Sequence, residues 1–189
     1  MFFNRENYLF FLGKIKNNIL PYADILAWCL MPNHFHLMIN VNQIEFLIGE
    51  QKSEGLASEQ VTQSHLLTKM RSLNDSVSIM LRSYTRAIQK QENIAGSLFQ
   101  NRTKAICLTE PKGVSPTYFQ SQFGTMGNIS FPEDEYPNAC FNYIHFNPVN
   151  ANLVKHPEDW EFSSYRDYYC GRNGKLINRK LAKELGLNE

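Results

Sequence analysis

Two short apolar runs on either side of a turn constrain the fold of this chain more than any other feature. Residues 24–30 read DILAWCL and residues 35–41 read FHLMINV, and both runs are rich in aromatic and β-branched side chains. Pro32 and Asn33, between the two runs, supply the chemistry of a tight turn. The sequence therefore predicts a β-hairpin near the start of the chain.

The second strand of this hairpin has two different faces if it opens at His34. Side chains alternate along a strand, and the face predicted to point to the core carries Phe35, Leu37, Ile39 and Val41. The other face is less apolar and carries His34, His36, Met38 and Asn40. Because His34 and His36 are neighbours on that face, their ring nitrogens can converge on one metal ion. Taken alone, such a pair is more often two ordinary polar residues on a solvated sheet.

Helical periodicity appears on both sides of the hairpin. Residues 5–19 carry apolar side chains at helical spacings and stop before a proline, and residues 77–90 repeat the pattern. Residues 139–147 are also helical in spacing. We expect this helix to end about Asn147, because Pro148 disfavours helical geometry in the residue before it.

The order of these segments predicts the fold class. Residues 95–108 have strand-like character, which completes the order helix, hairpin, helix, strand, helix. This order is typical of an α+β domain in which helices cover an antiparallel sheet. Residues 111–138 are dense in Gly, Pro, Ser and Asn, and this long connection is either a functional flap or disordered.

The length of the chain indicates a single core. At 189 residues and 43% hydrophobic, we expect one domain over residues 1–170 and a C-terminal helical tail, residues 171–189, packed on it. Trp160 and Tyr165 are interpreted as core anchors. The longest apolar runs are far shorter than the roughly 20 residues that span a bilayer, which predicts that this is not a membrane protein. Four dispersed cysteines without a CxxC pair, and no secretory pattern at the N-terminus, predict a reduced, cytoplasmic protein.

Charge is unevenly distributed along the chain although its formal net value is only +1. Between residues 66 and 104, two acidic residues stand against seven basic ones, which are Lys69, Arg71, Arg82, Arg86, Lys90, Arg102 and Lys104. Three of them, Arg82, Arg86 and Lys90, recur every fourth position opposite the apolar stripe of a predicted helix. Taken alone, such a stripe is more often a solvated helix face than a binding surface.

A tyrosine and an asparagine stand four residues apart in the predicted helix of residues 139–147. Tyr143 and Asn147 therefore lie on one helix face and can offer a phenol and a third, neutral metal ligand. Two imidazoles and one amide leave the charge of a divalent cation uncancelled, which suits the polarisation of a phosphate and the stabilisation of a phenolate. This is the chemistry that a tyrosine nucleophile needs. The alternative for Tyr143 is a core aromatic with its hydroxyl at the rim.

Taken together, these motifs resemble those of the single-tyrosine HUH transposases, in particular the branch of REP-associated tyrosine transposases. The resemblance runs over most of the chain and includes AWCLMPNHFHLMI, GSLFQNRTK, YIHFNPV and WEFSSY, in that order. It implies that His34, His36 and Asn147 are ligands of Mg²⁺ or Mn²⁺ and that Tyr143 is the nucleophile. It also implies a ferredoxin-like antiparallel sheet with helices on one face and a separate helix for the catalytic tyrosine.

The same resemblance implies a reaction and a partner. Tyr143 would attack a phosphodiester of single-stranded DNA, leaving a 5′-phosphotyrosine link and a free 3′-hydroxyl that can later reverse the step. The DNA sites of such enzymes are usually imperfect palindromes that form hairpins, and the protein would act as a monomer or homodimer. With these motifs beside them, the basic residues Arg82, Arg86, Lys90, Arg102 and Lys104 are candidates for contact with DNA.

One departure from the family concerns the sheet. The chain starts at MFFNRENYLFF, which resembles the start of the family's first helix, so the family's first strand is expected to be missing. We expect its row to be filled by residues 111–138, by a second subunit, or by residues upstream of Met1.

Two other functions remain open from the sequence. One is a metal-dependent phosphoesterase, in which His34 and His36 serve an activated water and Tyr143 is structural. The other is a protein that binds a nucleic-acid hairpin without cutting it, as a decayed transposase would.

Overall fold

The computed structural model describes residues 1–48, 69–100, 105–108, 118–121, 124–127 and 135–187. Over these residues the protein is a mixed helix and sheet structure, which agrees with the predicted α+β class. The strands are β1 Ala23–Leu30, β2 Phe35–Val41, β3 Glu45–Ile48, β4 Lys69–Ser72, β5 Tyr118–Ser121 and β6 Gly124–Gly127. The helices are α1 Arg5–Asn18, α2 Leu73–Glu92, α3 Tyr136–Asn150, α4 Tyr165–Tyr169 and α5 Arg179–Glu184, with a 3₁₀ turn at Pro157–Asp159.

The predicted hairpin is present as the antiparallel pair β1–β2. Its register pairs Cys29 with His36 and Leu30 with Phe35, and it shifts between Ile25 and Ala27, where the first strand holds one extra residue. The second strand begins at Phe35, so His34 is the last residue of the turn and not the first of the strand.

The second edge of β1 is covered by the C-terminal part of the chain. Leu30 N–H donates to the carbonyl of Phe162 at 2.8 Å, and Ser164 N–H donates to the carbonyl of Trp28 at 2.9 Å. Further along, Asn178 N–H donates to the carbonyl of Ile25 at 2.8 Å. β1 is therefore an inner strand with hydrogen-bond partners on both sides.

The row of the predicted missing strand would lie along the edge of β2 away from β1. In the described part of the chain, β2 pairs with β1 alone, and β5 and β6 pair with each other. The expectation that residues 111–138 or a second subunit fill a row beside the strand of His36 stays a prediction.

Two hydrophobic clusters cover the two faces of the hairpin. The first cluster joins α1 and α2 to β1, with Phe11, Ile15, Trp28, Leu30, Met80, Tyr84 and Ile88 at its centre. The second cluster joins α3 and the C-terminal tail to the other face, with Cys29, Met31, Met38, Phe141, Ile144, Ala182 and Leu187. The face of β2 that carries the histidines is thus not simply solvated, since Met38 is buried beneath α3.

The helix α3 corrects a boundary drawn from the sequence. It continues to Asn150 with Pro148 inside it, whereas the sequence predicted an end at Asn147. A proline within a helix keeps a helical φ, but it removes one N–H donor and its ring crowds the carbonyl four residues earlier. Burial of Phe141 and Ile144 against the sheet outweighs this local loss.

Other expectations also require correction. Residues 95–100 and 105–108 contain no strand, although the sequence predicted one over 95–108. Strands β3 and β4 form a pair before α2 that no pattern indicated. The basic residues Arg102 and Lys104 lie outside the described residues.

The C-terminal residues do more than form a helical tail. Helix α5 is only six residues long, and Ile177, just before it, makes a bridge to Ile25 of β1. Trp160 packs against both clusters as an anchor, and its Nε1 donates to the carbonyl of Leu30 at 3.1 Å. Tyr165 is only partly buried and does not belong to either core, so its interpretation as a core anchor was wrong.

Helices of the described residues are too short or too polar to cross a membrane. The cysteines Cys29, Cys107, Cys140 and Cys170 are all free thiols.

Candidate metal and nucleophile site

The turn and the start of β2 hold the two histidines side by side. Met31 N–H donates to the carbonyl of His34 at 2.8 Å, which closes the turn through Pro32 and Asn33. The imidazole rings of His34 and His36 lie edge to face with their centroids 4.9 Å apart. His34 Nδ1 is 2.7 Å from the side-chain oxygen of Asn33, which leaves Nε2 as the nitrogen of His34 for a metal.

Helix α3 brings Tyr143 and Asn147 to the same place. The ring of Tyr143 lies edge to face with that of His36, with centroids 5.4 Å apart. Asn147 Nδ2 is 3.2 Å from His36 Nε2, and Asn147 is only 6% exposed. The four residues predicted to form the site therefore meet, although they come from two segments more than a hundred positions apart in sequence.

Asn147 is the centre of this group, because its amide also interacts with His34 and Tyr143. Burial raises the pKa of the Tyr143 phenol, and a hydrogen bond with Asn147 opposes that effect. Desolvation lowers the pKa of His34, and a hydrogen bond with Asn147 again opposes it. One amide thus lies against the ring of His36 and influences the pKa of both His34 and Tyr143.

Both histidines are held in the neutral form that a metal requires. Burial, with a smaller effect of the neighbouring His34, lowers the pKa of His36 to about 4. At neutral pH each imidazole therefore has one N–H group and one nitrogen that bears a lone pair. These lone pairs are the donors that a divalent cation would use.

The donor set fits a divalent cation, although it contains no carboxylate. In the described part of the chain, no three His, Cys, Asp or Glu side chains cluster as a metal site. Two imidazoles and an amide suit transition-metal ions better than Mg²⁺, which prefers oxygen ligands. Asn147 would have to turn its oxygen, instead of the nitrogen that now contacts His36, toward such an ion.

A buried histidine on the opposite side of α3 was not singled out by the sequence. His145 is 1% exposed, and its Nε2 lies 2.7 Å from Ser164 Oγ. That hydroxyl accepts from Trp28 N–H at 2.9 Å and donates to the carbonyl of Trp28 at 3.1 Å. His145 therefore connects α3, two residues after Tyr143, to the strand that pairs with His36. The sequence signal for this residue was only its position two residues after Tyr143.

The basic stripe lies in a different layer from this group. Arg82, Arg86 and Lys90 are exposed on α2, as their spacing predicted. Helix α2 packs with α1 on one face of the hairpin, whereas α3 and His36 lie on the other. The stripe is therefore not brought together with Tyr143.

Comparison of the chain with protein-family models, with curated proteins and with solved structures gives no match.

Proposed function

We propose that this protein cuts and rejoins single-stranded DNA through Tyr143, as a single-tyrosine HUH transposase does. The observation that supports it best is the contact of one amide, Asn147, with both histidines and with the candidate nucleophile. Two ordinary histidines on a solvated strand would not be expected to pack, through a buried amide, against the helix that carries Tyr143. The order of motifs along the sequence adds to this support.

In the proposed reaction, Tyr143 Oη attacks the phosphorus of a phosphodiester. The bond between phosphorus and the 3′-oxygen breaks as the bond to Oη forms, and the phenolic proton ends on the 3′-oxygen. The products are a 5′-phosphotyrosine link and a free 3′-hydroxyl. Because one phosphodiester replaces another, little bond energy is lost, and a 3′-hydroxyl can reverse the step.

The residues around Tyr143 keep its phenol in position and protonated. Burial raises the pKa of the Tyr143 phenol, so Oη keeps its proton at neutral pH until the site is complete. Mg²⁺ or Mn²⁺ held by His34, His36 and Asn147 would supply the positive charge that polarises the phosphate and favours the phenolate. Asn147 positions the phenol through the hydrogen bond that already opposes the effect of burial.

The fold and partner of the family extend the proposal. A ferredoxin-like sheet would add a strand beside β2, on the edge away from β1. The DNA partner would be a single strand with an imperfect palindrome that folds into a hairpin, bound by a monomer or a homodimer.

A denaturing gel tests the proposal directly. Incubate the purified chain with Mn²⁺ and a labelled strand that contains a hairpin, and look for a labelled band at the mass of protein plus DNA. Tyr143→Phe should remove this band, because it lacks the attacking oxygen. Tyr136→Phe, which removes a phenol at the start of the same helix, is the matched control and should keep it.

The other outcomes separate the remaining functions. Metal-dependent cleavage without a covalent band, and unchanged in Tyr143→Phe, would indicate a phosphoesterase that uses activated water. Binding of the hairpin without cleavage under any metal would indicate a non-cleaving binder. A covalent band that persists in Tyr143→Phe would refute the assignment of the nucleophile.

A further inference from the structure

Three aromatic side chains form an exposed surface beside the candidate nucleophile. We call this group, which consists of Phe146, Tyr165 and Tyr169, the aromatic platform. Phe146 is 43% exposed and Tyr169 is 49% exposed. The ring of Tyr165 lies between them, with its centroid 6.2 Å from that of Phe146 and 4.6 Å from that of Tyr169.

Phe146 connects the aromatic platform to the site on α3. Phe146 follows Tyr143 by three positions and precedes Asn147 directly, so its ring lies about one helical turn from the phenol. The buried ring of His145 on α3 lies edge to face with the rings of Tyr165 and Tyr169 on α4. These contacts join α3 to α4. A strand whose phosphate reached Tyr143 would therefore have its next nucleotides beside these rings.

The chemistry around the platform suits an unpaired nucleic-acid base. From Tyr136 to Asn150, α3 contains no Asp, Glu, Lys or Arg, so no acidic side chain of this helix repels a phosphate. Desolvation raises the pKa of Tyr165, and the carboxylate of Glu158 adds to the effect, so the phenol is neutral near pH 7. Arg166, the residue after Tyr165, donates from its Nε to the carbonyl of Glu158.

The geometry points to a base-stacking surface: the aromatic platform binds unpaired bases of the DNA strand next to the phosphate that Tyr143 attacks. This inference rests on the proposed function, since that function supplies the single strand at Tyr143. Bases stack on aromatic side chains without regard to sequence, because every base has a flat apolar face. The platform would thus position the strand, whereas the recognition of a hairpin belongs to other residues.

Binding to strands with and without bases tests the platform. Measure the affinity of the full chain for an oligothymidylate of about 12 nucleotides and for the same backbone with abasic sites, both without divalent metal so that nothing is cut. The intact strand should bind more tightly by roughly 5- to 150-fold for each base that stacks. Phe146→Ala and Tyr169→Ala should each lose most of this ratio.

Phe10→Ala is the matched control for these variants. Phe10 is 41% exposed, close to the exposure of Phe146, but it lies on α1, which packs on the opposite face of the hairpin from α3. Its removal should leave the ratio unchanged. If Phe146→Ala unfolds, Phe146→Leu keeps apolar volume without a flat ring and should lose the ratio while the chain stays folded.

The result separates this inference from the proposed function. An unchanged ratio in Phe146→Ala and Tyr169→Ala, or equal binding of the two strands by the unmodified chain, overturns the platform even when the covalent adduct forms. A lost ratio in these variants supports the platform even if no adduct is detected, in which case only the cleavage reaction fails.

Discussion

The side-chain nitrogen Nδ2 of Asn147 lies 3.2 Å from Nε2 of His36, although the two residues are 111 positions apart in the chain. This contact joins the helix of Tyr143 to the strand of the histidines. A cation bound by the two histidines would lie next to this amide, which also interacts with His34 and with the phenol of Tyr143.

Asn147→Asp should strengthen the binding of Mn²⁺. The change adds a negative oxygen ligand to a donor set that is otherwise neutral, and we expect a gain of roughly tenfold or more at this partly buried position. Isothermal titration with Mn²⁺ measures it. Asn150→Asp places the same charge at the exposed end of α3 and should change the affinity little. An equal gain in both variants would show that general charge, and not ligation, is responsible.

His34→Ala and His36→Ala should each abolish metal-dependent cleavage while hairpin binding remains. Each removes one of the two proposed imidazole ligands. In the unmodified chain, the affinity for divalent ions should rise in the order Mn²⁺, Co²⁺, Ni²⁺. Titration with these ions and a cleavage assay on the same preparations measure both effects. His156→Ala, which removes a histidine outside the group, is the control. Anomalous scattering from Mn²⁺ at any other place would contradict the site.

His145→Gln should flatten the acid side of the stability profile. Burial lowers the pKa of His145 to about 4, with a smaller opposite effect of Asp167, whereas the unfolded chain titrates near 6.5. Between those values the unfolded state binds a proton that the folded state does not. The contribution of His145 to the free energy of unfolding is therefore fully present above pH 6.5 and is lost as the pH falls toward 4.

The loss should amount to about 3 kcal/mol for this residue, since one proton changes the free energy of unfolding by about 1.4 kcal/mol per pH unit. Urea denaturation at several pH values measures it. The pKa of His36 is lowered to about 4 as well, and that of His34 is also lowered, so the slope should decrease in His145→Gln and not vanish. A slope that is the same in both proteins would mean that His145 is protonated when folded.

Neutralising Arg82, Arg86 and Lys90 together should weaken the salt dependence of DNA binding. If all three contact phosphates, the slope of log affinity against log salt should decrease by up to about three times ~0.7 for a single strand. Because α2 lies in another layer from Tyr143, the rate of adduct formation at saturating DNA should stay the same. Lys14 and Lys16 on α1, changed together to Gln, serve as the control for net charge. An unchanged slope in the triple variant would leave the stripe as solvated surface.

The sequence by itself determined the elements whose signals are local. The hairpin followed from two apolar runs around Pro32 and Asn33, and α1 and the apolar stripe of α2 followed from helical spacing. The placing of Tyr143 and Asn147 on one face also followed from spacing, because neighbours at i+4 in a helix share a face. His34 and His36 lie side by side as the sequence predicted, although His34 belongs to the turn and not to the strand. These relationships depend on a few bonds of the same segment.

Only the tertiary structure decided how those segments meet. Residues 162–164 and 177–178 cover the second edge of β1, and no local pattern specifies which segment completes a sheet. The helix α3 continues past Pro148 because buried Phe141 and Ile144 stabilise it more than one missing hydrogen bond destabilises it. His145 reaches Ser164, and Asn147 reaches His36, for the same reason: burial of distant apolar side chains against one sheet sets the position of α3. That free energy is summed over the whole core and cannot be read from the spacing of residues in one segment.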